Sequence, residues 1–222
     1  ITKERKASPD YPAGNWVEVE GDGPGVDQLR QALTFESVWG GDYEPFPEAA
    51  EFDRTYADIK YESPEFASLD LAIEACAAYC SVSHHYFNVD RMQATSTGLR
   101  DCLDKDGMTR LLERVTLNAN ASFDAEERRW QQLAQAPNQD AALAQEAYEM
   151  LVETRREIGD LVAGDLEQWY VEDGKLVFVL YRMEYPHVAQ AIGPDTHIAV
   201  STAEFLELEP SACVLRQALA GR

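Results

Sequence analysis

The sequence predicts an α+β fold, with a mainly antiparallel sheet packed against helices. Alternating apolar and polar runs come first, a long stretch of helical periodicity follows, and alternating runs return near the C-terminus. We therefore expect a helical insertion between the central and C-terminal strands. The 222 residues suffice for one core. We expect a single domain over 1–222, with N-terminal strands and a helix in 1–104, a helical segment in 105–164, and C-terminal strands, a short helix and a tail in 165–222.

The N-terminal part predicts four strands and one helix. A short strand covers 15–20, a glycine-rich turn follows, and a helix covers 26–35. Longer strands are predicted over 56–62, 66–79 and 82–90. In the second of these, Leu69, Leu71 and Ile73 alternate with Asp70 and Glu74. This alternation is typical of an antiparallel strand with one buried face.

The period changes from Lys105, where helix-forming residues dominate. We expect one helix from Lys105, a second from Asp124 to Gln135 whose start is marked by Ser122, and a third over 141–161. The Asp173-Gly174 pair predicts a hairpin that leads into a strand over 176–181. A last strand over 196–201 and a short helix beginning at Thr202 complete the prediction.

The charge balance limits the possible partners. Forty acidic residues against 19 basic ones give a formal net charge of -21. Such a field repels phosphate groups and anionic lipid, so nucleic acid and membrane surfaces are poor partners, whereas a cationic protein would be attracted. Acidity that only maintains solubility is the other explanation. The apolar runs are too short for a membrane span, so no membrane insertion of this chain is expected.

The compartment is suggested by the cysteines and by the first residue. The chain begins at Ile1, which fits a mature protein after removal of a signal or anchor, and equally a chain trimmed at that point. The four cysteines are an even set without metal-ligand spacing, and in an extracytoplasmic protein they would form two disulfides with three possible connectivities. On one continuous strand the first two would lie ~13 Å apart, too far to bond, whereas a turn between them would remove that objection. Free cysteines in a cytosolic core are the alternative. The disulfide candidates are Cys76, Cys80, Cys102 and Cys213.

The sequence contains no recognised catalytic motif. It has no nucleophile elbow, zinc-protease helix or glycine-rich phosphate loop. His84 and His85 are adjacent on a predicted strand, so their side chains point to opposite faces and cannot share one metal. We expect no catalytic residues, no metal site and no cofactor.

One segment has the composition of a partner-binding loop. Residues 39–52 have no period and combine aromatic rings with carboxylates. Exposed rings provide contact area, and acids beside them suit a basic partner. The alternative is that the rings fold back onto the core as a lid. The candidate partner-binding residues are Trp39, Asp42, Tyr43, Glu44, Phe46, Glu48 and Glu51.

Three segments resemble one known domain family. Residues 169–194 contain a strand, an Asp-Gly turn, an aromatic-rich strand and the sequence Met183-Glu184-Tyr185-Pro186-His187-Val188-Ala189, which is similar to that family's "Tyr-Glu-Ile-Ala-Pro-Tyr-Ala" turn. Residues 61–69 resemble its "Ser-Pro" strand entry, and residues 87–90 with 97–99 resemble its "Phe-Asn-x-Asp" and "Thr-Gly" turn. The matches span about 56–208. They point to the uncharacterised extracytoplasmic domain family found in the lysozyme-sensing anti-sigma factor RsiV, in the peptidoglycan deacetylase PdaC and in a mycobacterial secreted antigen.

The resemblance implies an extracytoplasmic α+β module without catalysis of its own, which binds lysozyme in the anti-sigma type. One departure is that Cys76-Ala77-Ala78-Tyr79 stands where the family has "Gly-Gly-Ala-His". We expect a periplasmic or secreted, non-catalytic protein that recognises a cationic protein, such as a lysozyme-like cell-wall hydrolase or a toxin. Inhibitor, immunity factor and sensor ectodomain all fit this expectation. The alternative is a peptidoglycan-binding accessory domain of a cell-wall enzyme.

Overall fold

The structure is a computed structural model that describes residues 2–5, 12–39, 53–76, 80–135, 141–158, 161–180 and 196–220. Its strands are β1 (Thr2–Arg5), β2 (Ala13–Val17), β3 (Arg54–Glu62), β4 (Phe66–Cys76), β5 (Cys80–Asp90), β6 (Thr95–Ser96), β7 (Trp169–Glu172), β8 (Lys175–Val179) and β9 (His197–Ser201). Its α-helices are α1 (Pro24–Ala32), α2 (Phe35–Trp39), α3 (Lys105–Gln135), α4 (Ala141–Ile158), α5 (Thr202–Leu206) and α6 (Val214–Ala220), and short 3₁₀ turns cover Leu99–Asp101 and Ala163–Leu166.

The strands form two sheets, and the fold is α+β as predicted. The larger sheet has the order β1-β2-β3-β4-β5-β6, and the smaller has the order β7-β8-β9. Strand β2 pairs with β3 in parallel. The pairs β1–β2, β3–β4, β4–β5, β5–β6 and β8–β9 are antiparallel. The predicted helical insertion is confirmed, because α3 and α4 lie between the strands of the two sheets in sequence.

The chain divides into two compact units. Unit 1 comprises 1–102, 170–173 and 211–222, and unit 2 comprises 103–169 and 174–210. The single folding domain expected over 1–222 stays a prediction.

In unit 1, one face of the larger sheet is buried in an apolar core. Leu69, Leu71 and Ile73 of β4 point into it, as their alternation predicted, and Trp16 of β2 lies in the same cluster at 1% exposed. The opposite face carries the carboxylates of these strands among some apolar side chains. The cluster consists of Trp16, Val17, Leu29, Leu33, Phe35, Trp39, Leu69, Leu71, Ile73 and Val89.

The parallel pairing of β2 with β3 depends on a glycine. Gly14 pairs with Thr55 and has a φ of 141°. A Cβ atom at this position would collide with the backbone oxygen of Thr55. Only glycine tolerates both this conformation and this close approach of two backbones.

A buried hydroxyl in unit 1 makes two hydrogen bonds. The Ser68 hydroxyl donates to Asn88 Oδ1 at 2.6 Å and accepts from the backbone N–H of Val171 at 3.1 Å, and Ser68 is 0% exposed. We expect Ser68→Ala to lower the free energy of unfolding by about 1–3 kcal/mol, because it leaves buried polar groups without this partner. Urea denaturation measures the change. The exposed Ser81 of β5 is the control, where alanine should change stability by less than about 0.5 kcal/mol. Equal effects at both positions would contradict the argument.

In unit 2, α3 is one continuous helix of 31 residues. The predicted break into two helices, with a start marked by Ser122, is wrong. Leu111, Val115, Ala119 and Phe123 are all buried at intervals of four residues, so one apolar stripe continues past Ser122 and favours an uninterrupted helix.

Two arginines form ion pairs that join distant segments of unit 2. Arg155 Nη1 of α4 lies 2.7 Å from Asp124 Oδ1 and 2.8 Å from Glu127 Oε1 of α3. Arg114 Nη1 of α3 lies 2.8 Å from Glu204 Oε1 of α5. Hydrogen bonds donated by the Ser201 backbone N–H and hydroxyl, together with Arg114, lower the pKa of Glu204.

Most boundaries differ from the predictions by a few residues. The strand expected over 15–20 is β2 at Ala13–Val17, and the helix expected over 26–35 divides into α1 and α2. The Asp173-Gly174 hairpin is confirmed, with φ values of 49° and 71° that suit a type I′ turn. The short helix at Thr202 is confirmed as α5, whose N-terminus is capped by the Ser201 side chain.

Candidate functional site

The polar face of β3, β4 and β5 in unit 1 carries the candidate site. The antiparallel register aligns side chains of the three strands in rows across the sheet. Tyr56 pairs with Ala72, which pairs with His84 on the other side. In the next row, Asp58 pairs with Asp70. Since side chains alternate between the faces of a sheet, these residues all point away from the apolar core.

The rows enclose an open groove of about 380 Å³. Ala72 is the smallest of its residues, and the larger side chains of β3 and β5 stand on either side. Tyr56 is 45% exposed and Val82 is 49% exposed, so the groove offers apolar contact area to a partner. Its lining residues are Tyr56, Asp58, Asp70, Ala72, Glu74, Val82 and His84.

A lysine shows that this face accommodates a cation. Lys60 Nζ lies 3.2 Å from Asp58 Oδ2, 3.7 Å from Asp70 Oδ2 and 3.8 Å from Glu172 Oε1. It also lies 5.7 Å from the centre of the Tyr170 ring, within the range of a cation–π contact. Partial burial alone would lower the pKa of Lys60, but the hydrogen bond to Asp58 and the nearby carboxylates outweigh it and raise the pKa.

The remaining polar groups of the groove hold one another in place. The Tyr56 hydroxyl donates to Glu74 Oε2 at 2.7 Å, and this hydrogen bond, with some desolvation, raises the pKa of Tyr56. His84 Nδ1 lies 2.9 Å from Asp70 Oδ1. The His84 ring stacks on Tyr86, which stacks in turn on Tyr170 with 4.7 Å between ring centres. The carboxylates and rings are therefore fixed before a partner arrives.

The two adjacent histidines point to opposite faces, as predicted. His84 lines the groove. His85 lies on the core side, with its ring centre 6.3 Å from that of Trp39, and desolvation lowers its pKa. One metal ion therefore cannot bind both side chains.

Of the predicted partner-binding residues, the structure describes only Trp39. It ends α2, is 8% exposed, and belongs to the apolar core of unit 1. This position agrees with the alternative that a ring of this segment packs on the core. The other candidates, Asp42, Tyr43, Glu44, Phe46, Glu48 and Glu51, lie outside the described residues, and their role stays a prediction.

The four cysteines form two disulfides, one of the three predicted connectivities. Cys76 bonds Cys80 across a Cα–Cα distance of 4.0 Å, and Cys102 bonds Cys213 across 5.3 Å. The distance objection to the first pair does not apply, because β4 ends at Cys76 and β5 begins at Cys80. A change of strand direction between the two cysteines brings them together.

A second cavity, of about 430 Å³, is a weaker candidate. Two of its lining residues, Asp90 and Asp101, already bind the surrounding backbone. Asp90 Oδ1 accepts the N–H groups of Met92 and Gln93, and Asp101 Oδ2 accepts that of Gly98. These carboxylates stabilise local turns, so the groove is the better candidate.

The groove combines carboxylates and one histidine with exposed apolar surface. Its described lining contains no serine, threonine or cysteine that could act with His84 and Asp70 as a nucleophile. Within the described residues, Glu74, Cys76 and Cys80 are the group with metal-ligand spacing, but sulfurs joined in a disulfide are not thiolate ligands. In the described part of the chain, every helix is too short or too polar to cross a membrane.

The sequence predicted the strands of the groove but not the groove itself. The alternation placed Tyr56, Asp58 and Lys60 on one face of β3, and Asp70 and Glu74 on one face of β4. A polar face of this kind usually only contacts solvent. Polar and apolar residues alternate on three successive strands, and Tyr56 lies among the acids. This combination was the signal that could have revealed the site.

Comparison with known proteins supports the fold. A scan of the sequence against protein-family models finds no match, and a search of curated proteins finds none either. Among solved structures, the chain is similar to a DUF3298 family member from Bacteroides fragilis NCTC 9343, with a TM-score of 0.55, 13% sequence identity and coverage of 100% of this chain and 96% of that one. A DUF3298 family protein from Pseudomonas aeruginosa PAO1 gives a TM-score of 0.49 at 12% identity, over 93% of this chain and 89% of that one.

The Bacteroides fragilis neighbour, a DUF3298 family member, fits the expectation of an uncharacterised domain family. At 13% sequence identity, the likeness shows the fold alone. The chain thus has an α+β fold similar to that of the Bacteroides fragilis DUF3298 protein.

Proposed function

We propose that this protein is a non-catalytic, extracytoplasmic binding protein whose groove receives a lysine or arginine side chain of a cationic protein. The observation that carries the proposal is the concentration of carboxylates around exposed apolar surface on one sheet face. The charged side chains there are four carboxylates and two basic groups, namely Asp58, Asp70, Glu74 and Glu172 with Lys60 and Arg54. When histidine is counted as neutral, four negative and two positive charges give a formal charge of -2.

The charges act at two distances. The net charge of -21 attracts a basic protein from a distance and raises the rate of encounter. At contact, the geometry around Lys60 indicates how an incoming ammonium group would be held, between carboxylates and over an aromatic ring. Exposed Tyr56 and Val82 would contact the apolar part of the same side chain.

The disulfides and the family resemblance support the proposed compartment and the proposed class of partner. Two disulfides favour an oxidising compartment, so we place the protein in the periplasm or among secreted proteins. The resemblance to the extracytoplasmic family of RsiV favours a lysozyme-like cell-wall hydrolase as the partner, and a toxin has the same charge requirement. Inhibitor, immunity factor and sensor ectodomain all remain compatible with this chemistry.

The test compares two variants that remove the same charge. Asp58→Asn with Glu74→Gln alters the groove, whereas Glu146→Gln with Glu153→Gln alters exposed positions of α4 in unit 2. Binding of a basic lysozyme is measured by surface plasmon resonance at low and physiological salt. We expect the groove variant to bind about tenfold more weakly, since two charge pairs of about 0.7 kcal/mol each give about 1.4 kcal/mol, and the control to change by less than about twofold.

Other outcomes would contradict parts of the proposal. Equal weakening of both variants would mean that only general charge matters and that the groove is not the site. Affinity that does not fall with rising salt would exclude charge steering. A third variant, Asp42→Asn with Glu44→Gln, tests the predicted loop, and a loss confined to it would move the site from the groove to that segment.

Peptidoglycan binding by an accessory domain is the second candidate. The observation that favours it is the exposed Tyr56 ring beside the Glu74 carboxylate, since rings and hydrogen-bonding oxygens also suit sugars. Purified peptidoglycan in a sedimentation assay tests it, with Tyr56→Ala as the variant. Retention that depends on Tyr56, without binding to lysozyme, would place this function first.

A further inference from the structure

The end of the β4–β5 hairpin brings together one carboxylate and two cysteines, a set that can bind zinc once the cysteines are thiolates. Cys76 and Cys80 are a directly opposed pair, and Glu74 lies two residues before Cys76 on the same face of β4. One ligand atom from each of the three lies within 4.8 Å of the others. In a tetrahedral zinc site with bonds of ~2.0–2.3 Å, ligand atoms lie roughly 3.3–3.8 Å apart, so only small movements are needed.

We propose that Glu74, Cys76 and Cys80 form a redox-gated site for zinc or a similar divalent ion, which becomes available when their disulfide is reduced. A dithiol or phosphine reductant supplies the two electrons that break the S–S bond and is itself oxidised. Two protons complete the thiols. Metal binding then releases both thiol protons, and the thiolates and the Glu74 carboxylate become ligands, with a water molecule in the fourth position.

The register of the hairpin keeps the ligands in place without the disulfide. Ten cross-strand pairs from Phe66–Asp90 to Ala75–Ser81 hold β4 against β5. The backbone N–H of Cys76 also donates to Asp53 Oδ1 at 2.9 Å, and Asp53 is 2% exposed. A reduced pair would therefore still present both sulfurs on the face that carries Glu74.

The surroundings favour both access and binding. Cys80 is exposed, so a reductant and a metal ion can reach this disulfide, whereas Cys102 and Cys213 are 1% and 9% exposed. The Tyr56 hydroxyl donates to Glu74 Oε2 at 2.7 Å and orients the carboxylate, as outer hydrogen bonds do in metal sites. The site does not depend on the proposed binding function of the groove.

To test the proposal, the full chain is reduced with a phosphine and titrated with Co²⁺, whose thiolate complexes absorb in the near ultraviolet. The affinity for Zn²⁺ is then measured by competition with a chromogenic chelator. The control, Cys76→Ala with Cys80→Ala, is treated identically and keeps Cys102 and Cys213, so metal held by those thiols appears in both samples. We expect the wild type to bind one more metal ion per chain than this control, and none when oxidised. Glu74→Gln and Tyr56→Phe should each weaken Zn²⁺ binding by about tenfold or more.

Three results would overturn the proposal. The first is equal metal binding by the reduced wild type and the cysteine control. The second is full affinity in Glu74→Gln, because the carboxylate would then not be a ligand. The third is loss of the folded circular dichroism spectrum in the unreduced Cys76→Ala with Cys80→Ala variant, which keeps the other disulfide, because the site requires a hairpin register that persists without the Cys76–Cys80 bond.

Discussion

Replacing Cys102 and Cys213 by alanine should lower the free energy of unfolding by about 5 kcal/mol, whereas the same change at Cys76 and Cys80 should lower it by about 2 kcal/mol. The two disulfides close chain segments of very different length, with sequence separations of 111 and 4 residues. In the chain-entropy description, a cross-link stabilises a protein by lowering the entropy of the unfolded chain. The loss of entropy grows with the logarithm of the number of residues in the closed loop. Urea denaturation of both variants measures the two losses.

The contacts around the longer disulfide also predict a local consequence. Within unit 1 it ties the segment before α6 to the turn after β6. Without it, that connection depends on weaker contacts, such as the hydrogen bond from the Ser211 backbone N–H to the Cys102 carbonyl and that from the Tyr61 hydroxyl to the Ala218 carbonyl. Hydrogen exchange in α6 should therefore be faster in the Cys102 and Cys213 variant and unchanged in the other. Equal stability losses in the two variants would contradict the entropic argument.

The central strands could be predicted because each has one face in the core. Along β4, Leu69, Leu71 and Ile73 enter the apolar cluster while Asp70 and Glu74 stay on the polar face. Burial of alternate residues produces a pattern that a sequence displays directly. The same reasoning separated His84 from His85 correctly, since the strand geometry alone decides which face each side chain takes.

The groove could not be predicted, because it depends on register between strands. Tyr56, Ala72 and His84 line up only after three strands pair in one alignment, and a shift by one residue would move each side chain to the other face. The disulfide pairing has the same origin. Cys76 and Cys80 are adjacent across the hairpin, although four residues along a straight strand would separate them.

The continuous α3 shows where a local signal fails. Ser122 and the acids that follow it have the composition of a helix start, but Ala119 and Phe123 on either side are both buried. Burial of a continuous apolar stripe stabilises a helix more than a capping residue does, typically about 1 kcal/mol for the cap against 1.5–3 kcal/mol for each large buried side chain.

Trp16→Ala should lower the free energy of unfolding by about 3–5 kcal/mol, the range for removing a large buried aromatic side chain. Trp16 is 1% exposed and packs edge-to-face on Phe35 with 5.7 Å between ring centres. Its indole N–H donates to the Leu33 carbonyl oxygen at 2.7 Å, so the ring also fixes the end of α1. Alanine would leave a cavity in the core and a buried carbonyl without its donor.

Trp16→Phe separates most of the cavity from the lost hydrogen bond, because it keeps a six-membered ring in the core and removes the N–H donor with the rest of the indole. We expect it to lower the free energy of unfolding by about 1–2 kcal/mol. Since Trp16 lies in the core cluster behind the sheet and the groove residues are on the opposite face, both variants should bind a basic lysozyme with unchanged affinity under conditions in which they are folded. Weaker binding by a fully folded Trp16→Phe would mean that the core determines the shape of the groove, and the two faces of the sheet would then have to be treated as one coupled site.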